Sequence, residues 1–464
     1  MAETRDAVGS PARSVLRIAV PMLPADLVAV LVPLAVLALT GRIDGDAHYV
    51  RALFMPVQFL FLALIAGIGA SNQVAAAVAH GAGDLRAAGA ALRADARIAA
   101  GAGAAFSVLL IVSAPLLGDL MGVSEAARAE FTGFLRAIAP ASALLLGPAL
   151  AAATLRGCGL ARQAAAVTLL AALTEIGGVA LLALGAGLGI AGVAPAVALS
   201  GLAGTALGWV LLRRSGLLGP ASSVPPVRPR PVPVRAAVRR LTAVGVPVGA
   251  SYLVICAANL VLMRILAPFG PSVQSGYAGA ATLQTLLIIP GLVLGSATAI
   301  VLNSHRGAGR SGLLSPHAGL RITAGAYAVL AVVSYAGRDL IAGVLSGDAQ
   351  IAAETARYLQ TVGLSYLLMG LVLAALTVLE QVGGGPVALA MNAVYFVGAV
   401  AVGGRLAAAS GPDALYRTIA AFNGLGVVAV GVTVWFVRRL AARETTSLSA
   451  PDARPSTTRT GKGT

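Results

Sequence analysis

The sequence predicts an all-α polytopic membrane protein, with twelve transmembrane helices in two six-helix lobes related by a parallel pseudo-twofold repeat. Hydrophobic residues make up 58% of the 464-residue chain and charged residues only 11%. Rare residues also recur 226 positions apart, in pairs that include Pro21 and Pro247, Gln58 and Gln284, Gly81 and Gly307, and Trp209 and Trp435. Six spans return the chain to its starting side, so the two copies share one orientation in the membrane.

Apolar segments occur from one end of the chain to the other. Each is long enough to cross about 30 Å of hydrocarbon as an α-helix. The first extends beyond signal-peptide length, so we interpret it as a retained span. The twelve predicted spans are residues 16–40, 52–79, 95–117, 130–153, 163–185, 190–212, 241–266, 276–302, 320–337, 357–380, 386–408 and 415–437.

Two lobes and three hydrophilic segments make up the predicted organisation. Residues 220–235 are too rich in proline for a helix and indicate an extended linker. Residues 441–464 are rich in Ser, Thr, Arg and Pro, a composition typical of disorder. The predicted segments are a cytoplasmic N-terminal segment (1–13), the N-terminal lobe (14–212), a cytoplasmic Pro/Arg-rich linker (213–240), the C-terminal lobe (241–440) and a disordered cytoplasmic tail (441–464).

The net charge of +15 is concentrated on one side of the predicted topology, most densely in residues 213–240. This is the positive-inside pattern, which indicates a multi-pass plasma (inner) membrane protein with both termini cytoplasmic. The expected partners are the lipid bilayer and a small-molecule substrate, not nucleic acid, and a monomer would suffice. The four histidines and two cysteines lack metal-ligand spacing, so we predict neither a metal site nor a cofactor other than a transported H⁺ or Na⁺.

Three acidic residues, Asp26, Glu175 and Glu380, fall within the apolar segments, whereas Asp95 and Glu130 open their spans at the membrane surface. An ionised carboxylate at the bilayer centre costs about 2.5–3.5 kcal/mol on insertion scales, so such residues usually have a function. Asp26 and Glu175 lie near the midplane of the same lobe, and we predict that they form an ion-coupling site. The alternative is that each only hydrogen-bonds to a neighbouring helix. We interpret Glu380, which precedes Gln381 and three glycines, as a solvated helix end.

Prolines and amides give the remaining candidate residues. Proline removes backbone hydrogen bonds and kinks helices. We therefore predict a gating kink in the first span, and the alternative is a static kink; the prolines concerned are Pro21, Pro24 and Pro33. Amides at membrane depth either contact substrate or join helices by hydrogen bonds. The predicted substrate-binding residues are Gln58, Asn72, Gln284 and Asn392.

Several motifs occur in one order along the chain. They are Ile18–Pro21 running to Thr40–Arg42, Gly67–Ser71 running to Gly81–Asp84, Leu155–Gly159, Gly189–Ala194, Gly245–Pro247 and Gly307–Gly309. Together they resemble the multidrug and toxin extrusion (MATE) family, part of a superfamily that also includes lipid-linked oligosaccharide flippases. The resemblance implies a two-lobed antiporter that exports organic cations or xenobiotics, driven by inward flow of protons or sodium. The positions of two family acids are occupied here by Val36 and Val179, and Glu175 lies four residues before the second.

The function predicted from these observations is secondary active efflux. The chain, which is not predicted to be an enzyme, would export small cationic or amphiphilic compounds by alternating access, with protons favoured over sodium. One alternative is a flippase for a lipid-linked or amphiphilic metabolite, which would need a wide basic or amphipathic cavity. Few arginines at membrane depth are available for it, and Arg136 and Arg264 lie near outer helix ends. Another is a coupling-deficient binding protein or membrane enzyme on the same scaffold.

Overall fold

The fold is built from α-helices, as a computed structural model shows for residues 10–43, 45–121, 123–218, 234–310 and 314–449. Within these residues there are no strands, which confirms the predicted all-α class. The helices are α1 (Pro11–Thr40), α2 (Gly45–Gly81), α3 (Leu85–Leu120), α4 (Glu125–Leu144), α5 (Leu146–Gly157), α6 (Ala161–Val179), α7 (Val193–Arg214), α8 (Val234–Arg240), α9 (Val246–Leu266), α10 (Pro271–Gly307), α11 (His317–Ala336), α12 (Arg338–Leu345), α13 (Ala349–Val362), α14 (Tyr366–Leu379), α15 (Gly385–Ser410), α16 (Pro412–Leu425) and α17 (Val427–Ser449).

The described residues contain 11 continuous helical stretches that are long and apolar enough to cross a membrane. The longest, Ala349–Ser410, has 62 residues and contains two of the predicted spans, so the twelve predicted spans are all present. Its two spans are joined at Glu380–Gly384, where Gly383 adopts a φ of 106°. That backbone region favours glycine, so the chain changes direction there without a conventional loop.

The repeat is visible in three dimensions as well as in the sequence. Arg213 lies over the ring of Trp209 at 3.5 Å, and Arg439 lies over the ring of Trp435 at 5.1 Å. Both pairs have i, i+4 spacing on a helix, which brings the guanidinium onto the aromatic face. Both members of each pair are related by the 226-residue spacing, so each lobe carries the same cation–π pair at the end of its sixth span.

Each lobe packs around its own apolar core. The N-terminal core includes Phe54 and Phe134, whose rings pack edge to face at 5.5 Å. The C-terminal core includes Tyr277, Tyr358 and Tyr416, whose rings pack edge to face in series. Aromatic contacts of this kind add to the packing that holds helices together where lipid provides no hydrophobic drive.

The lobes meet closely at one end of the molecule, which we call the linker end because α7 finishes and α8 starts there. A Cβ atom added to Gly81 would lie 1.9 Å from the carbonyl oxygen of Ser304. One added to Gly307 would likewise lie 1.9 Å from the carbonyl oxygen of Val78. No side chain fits such a gap, so only glycine allows the backbones of α2 and α10 to touch. We call these two contacts the glycine seam.

An ion pair also crosses between the lobes at the linker end. Arg240, at the end of α8, donates to both carboxylate oxygens of Asp95 at 2.8 Å and to Ser71 Oγ at 3.3 Å. The side chain of Asp95 is only 3% exposed, so the carboxylate is buried inside the protein and not solvated. Its position at the predicted start of a span concealed this burial, because α3 begins a full ten residues earlier, at Leu85.

The segment boundaries differ from the sequence-based division at three places. Helix α1 begins at Pro11, and α8 begins at Val234, inside the segment assigned to the linker. Helix α17 continues to Ser449, into the predicted disordered tail, and Arg306 holds it by donating to Glu444 at 2.9 Å. Residues 1–9, most of the proline-rich run and residues 450–464 lie outside the described part of the chain.

Tyr327 supports the interior of α10 next to Pro290. Its hydroxyl accepts a hydrogen bond from Gly291 N–H at 2.8 Å and donates to the carbonyl oxygen of Leu287. These two backbone groups are four residues apart and would pair with each other in a regular helix. The buried hydroxyl therefore occupies a gap in the helix ladder near the proline.

Tyr327→Phe should lower the free energy of unfolding by about 1–3 kcal/mol, because it leaves a buried donor and a buried acceptor without a partner. Denaturation of the purified protein in detergent would measure this change. Tyr335→Phe is the matched control, since Tyr335 lies on the same helix and is 36% exposed. Equal stability of the two variants would contradict the role assigned to Tyr327.

Candidate functional site

A cavity of about 430 Å³ lies between the lobes and is lined by residues of both. The N-terminal lobe contributes α1, α2 and α4–α7, and the C-terminal lobe contributes α9, α10, α14 and the Glu380–Gly384 segment. Most of its wall is apolar. The charged residues that line it are Asp26, Arg51, Arg156, Glu175 and Glu380.

Asp26 lies on α1 and pairs with Arg156, near the end of α5, with 3.4 Å between Oδ1 and Nη1. Both side chains are about three-quarters buried. This is a long contact for a charge-assisted hydrogen bond, which is typically about 2.7–2.9 Å. A proton or a ligand on the Asp26 carboxylate could therefore replace its contact with Arg156. The pair joins the first and fourth spans where they face the cavity.

Glu175 lies on α6 and is buried at the cavity wall. Arg51 of α2 is within electrostatic reach of it, although no ion pair within 4.0 Å joins them. Asp26 and Glu175 are predicted from the sequence to form one coupling site. The structure brings both to the same cavity but gives each an arginine neighbour.

Glu380 is buried and lines the cavity from the C-terminal lobe, so the prediction of a solvated helix end is wrong. Its Oε1 accepts a hydrogen bond from Ser251 Oγ at 2.8 Å, and Asn392 Nδ2 donates to the same hydroxyl at 3.0 Å. Tyr252, next to Ser251, also lines the cavity and is within electrostatic reach of both Asp26 and Glu380. A third carboxyl group therefore faces the cavity, and it comes from the other lobe.

The predicted substrate-binding amides lie in different surroundings. Gln58 lines the cavity and accepts a hydrogen bond from Arg51 at 2.8 Å. Asn72 is fully buried and donates to Leu150 O and Thr154 Oγ1, which joins α2 to α5 away from the cavity.

Gln284 and Asn392 also lie outside the cavity lining. Gln284 accepts a hydrogen bond from Tyr358 at 3.3 Å inside the C-terminal lobe. Asn392 reaches the site only through Ser251. In this conformation the structure therefore places Asn72, Gln284 and Asn392 in helix–helix contacts, the role that the sequence analysis kept as the alternative.

The three predicted gating prolines all lie inside α1, which is helical throughout. Pro33 lines the central cavity. Pro21 lines a separate groove at the linker end, and Pro24 is exposed. Each proline removes a backbone hydrogen-bond donor, so the helical hydrogen bonding of α1 is interrupted at three positions. Two of them precede Asp26 in the chain and one follows it.

The linker-end floor of the cavity is polar. Gln73 Nε2 donates to Ser296 Oγ at 2.8 Å and to Gln381 Oε1 at 3.0 Å, which connects the two lobes. The glycine seam lies beyond this floor. Together these contacts close the cavity at the linker end.

Arg51 and Arg156 are the functional candidates that sequence reasoning missed. The predicted second span began at residue 52 and the predicted fourth span ended at 153, which left both arginines just outside the membrane. The structure extends these helices from Gly45 and to Gly157. Within the described residues, no group of three His, Cys, Asp or Glu side chains could hold a metal ion.

This chain resembles known proteins in both its sequence family and its structure. The MatE family model matches residues 21–181 and 247–403, which are in the two halves of the chain. The structure is similar to the MATE transporter VcmN of Vibrio cholerae in the bent form, with a TM-score of 0.86, 16% identity and coverage of 94% of this chain and 98% of that one. It is also similar to a MOP superfamily transporter of Pyrococcus furiosus, with a TM-score of 0.82, 18% identity and coverage of 94% and 97%. No curated protein sequence matches the chain.

Proposed function

Because this chain belongs to the MATE family of membrane transporters, we propose that it exports small cationic or amphiphilic organic compounds in exchange for protons. The observation that carries the proposal is the set of three carboxyl groups around one inter-lobe cavity, Asp26 and Glu175 from one lobe and Glu380 from the other. A carboxylate attracts a cationic group, and a proton on the carboxyl removes that attraction. Proton and substrate would therefore bind alternately.

Alternating access would follow from rocking of the lobes around the cavity. The glycine seam and the Gln73 contacts close one end, and opening that end would require them to separate while the lobes approach at the other. The proton gradient supplies about 1.36 kcal/mol per pH unit and about 2.3 kcal/mol per 100 mV for each charge moved. These amounts suffice to concentrate a small molecule severalfold per proton.

We expect Asp26→Asn and Glu175→Gln each to abolish substrate-induced proton release. The measurement adds ethidium, an amphiphilic organic cation, to purified wild-type protein in weakly buffered detergent solution and follows a pH-sensitive dye. The wild type should release protons, because the cation stabilises ionised carboxylates. Asp119→Asn is the matched control, since Asp119 is exposed and pairs with Arg128 away from the cavity.

Ethidium binding without proton release in the wild type would contradict proton antiport. Release that persists in both cavity variants would contradict the assignment of Asp26 and Glu175. Glu380→Gln would then be the next variant, because it removes the cavity carboxyl of the other lobe. Replacing Na⁺ with choline would test sodium coupling in the same assay.

A flippase remains the second candidate, because Arg51 and Arg156 supply the basic groups that the sequence analysis did not recognise in the cavity. We favour the exporter because a cavity of about 430 Å³ suits a small molecule. We further propose a location in the plasma (inner) membrane with the linker end facing the cytoplasm. Helix α1 starts and α17 ends at that side, where arginines such as Arg213 and Arg239 lie.

A further inference from the structure

Arg51 is the most deeply buried cation of the cavity, with 2% of the residue exposed. One of its terminal nitrogens donates to Gln58 Oε1 at 2.8 Å and the other contacts the sulfur of Met55 at 3.8 Å. Its Nε is buried and has no hydrogen-bond partner. Among the residues that the structure describes, no carboxylate oxygen lies within 4.0 Å of it.

This lack of an anionic partner distinguishes Arg51 from the other inter-helix arginines. Arg156 pairs with Asp26, and Arg240 pairs with Asp95. A guanidinium stays charged at every physiological pH, so loss of a proton does not relieve the cost of its burial. Burial of an unpaired charge is strongly unfavourable unless a partner arrives. Glu175 is within electrostatic reach of Arg51, but no ion pair within 4.0 Å joins them, so Arg51 has no anion in direct contact. A bound anion would supply that contact.

The surroundings of Arg51 suit the acidic group of an amphiphile. Its guanidinium lies 5.4 Å from the centre of the Phe54 ring, and Phe54 also lines the cavity. Phe61 of α2 and Ile138 of α4 also line the cavity and belong to the same apolar core as Phe54. Since Gln58 accepts from Arg51 through its oxygen, its amide nitrogen remains available as a donor.

We propose that Arg51 and Gln58 bind an oxyanion, a carboxylate or a phosphate, on an amphiphilic substrate whose apolar body lies along the aromatic wall. The guanidinium fork and the amide supply the donors that such an oxyanion requires. This inference rests on the proposed function, because it takes the inter-lobe cavity to be the substrate site. Among the amphiphilic compounds of that function, it selects those that carry an acidic group; a cationic group on the same compound would face Asp26 and Glu380.

Three probes with one aromatic body test the proposal: 1-naphthaleneacetate, 1-naphthyl phosphate and 1-naphthylmethyl-trimethylammonium. Their affinities for purified protein in detergent would be measured by equilibrium dialysis, with protein-free micelles as blank. Wild type should bind at least one anionic probe more tightly than the ammonium. The tighter of the two anions identifies carboxylate or phosphate as the preferred group.

Arg51→Met should weaken binding of the anionic probe about tenfold or more, because it removes a charge-assisted hydrogen bond while keeping a side chain of similar volume. Arg51→Lys keeps the positive charge and should retain more of the affinity than Arg51→Met. Arg136→Met is the matched control, since Arg136 is exposed and outside the cavity lining, and it should leave the affinity unchanged.

Equal wild-type affinity for all three probes, absence of anion binding, or an unchanged dissociation constant in Arg51→Met would overturn the proposal. The wild-type comparison needs no variant to fold. The ethidium assay is independent of these probes. Loss of proton release with intact anion selectivity would therefore count against antiport alone, and the reverse result would count against the Arg51 site alone.

Discussion

Replacing Gly81 with alanine should raise the reactivity of buried groups at the linker end by about tenfold. The added Cβ would lie 1.9 Å from Ser304 O and 2.6 Å from Ser304 C, and both atoms are backbone that cannot rotate away. Overpacking of this kind costs about 1–3 kcal/mol, and 1.4 kcal/mol changes a population tenfold. The lobes would separate at the glycine seam for a larger fraction of the time.

Ser71→Cys provides the reporter for this experiment, because Ser71 is fully buried and contacts Arg240 of the other lobe. The background would carry Cys158→Ser and Cys256→Ser, which remove the free cysteines. A membrane-impermeant maleimide should label the reporter faster when Gly81→Ala is present. Gly101→Ala, at a helical glycine with nothing within 4 Å, is the control and should not change the rate. Equal rates in both variants would mean that the seam accommodates a methyl group.

Asp95→Ala should lower the free energy of unfolding by about 3 kcal/mol, because it leaves Arg240 largely buried without its carboxylate. The double variant Asp95→Leu/Arg240→Met should recover much of this loss, since replacing both charges removes the unpaired one. Chemical denaturation in detergent, followed by tryptophan fluorescence, would measure all three proteins.

The control for this prediction is Asp119→Ala. Asp119 and Arg128 have the same 2.8 Å separation as Asp95 and Arg240, but their side chains are 55% and 50% exposed. Exposed pairs contribute about 0–1 kcal/mol, so this substitution should have little effect. Losses of similar size at Asp95 and Asp119 would contradict the importance assigned to burial.

The number, order and repeat of the helices could be predicted from the sequence because the bilayer allows few alternatives. A spanning segment must satisfy its own backbone hydrogen bonds, so each long apolar stretch becomes a helix. Rare residues such as Trp209 and Trp435 then revealed the repeat in a chain rich in alanine and glycine. Asp26 and Glu175 reach the cavity because a carboxyl group at that depth avoids lipid by facing the space between lobes.

A hydropathy profile treats a charged residue as the end of a span. It therefore assigned three cavity residues to positions at or beyond span ends: Glu380, Arg51 and Arg156. The glycines after Glu380 indicated a helix terminus, but Gly383 redirects the chain and leaves the carboxyl group inside the protein. The two arginines lie near span ends yet face the cavity, where charged partners replace solvent. Which face of a helix meets the other lobe depends on packing, and hydropathy does not record it.

The glycine seam also bears on how such a chain could arise. Gly81 and Gly307 are repeat equivalents, and so are their partners Val78 and Ser304, since the same 226 positions separate each pair. The contact is thus isologous, as in a twofold dimer, where a single residue supplies both sides of an interface. A single ancestral half with one glycine could have made this contact with a second copy of itself. After duplication and fusion, other positions could diverge separately in each half. At the seam, however, replacing either Gly81 or Gly307 disrupts one backbone contact that the other glycine cannot replace.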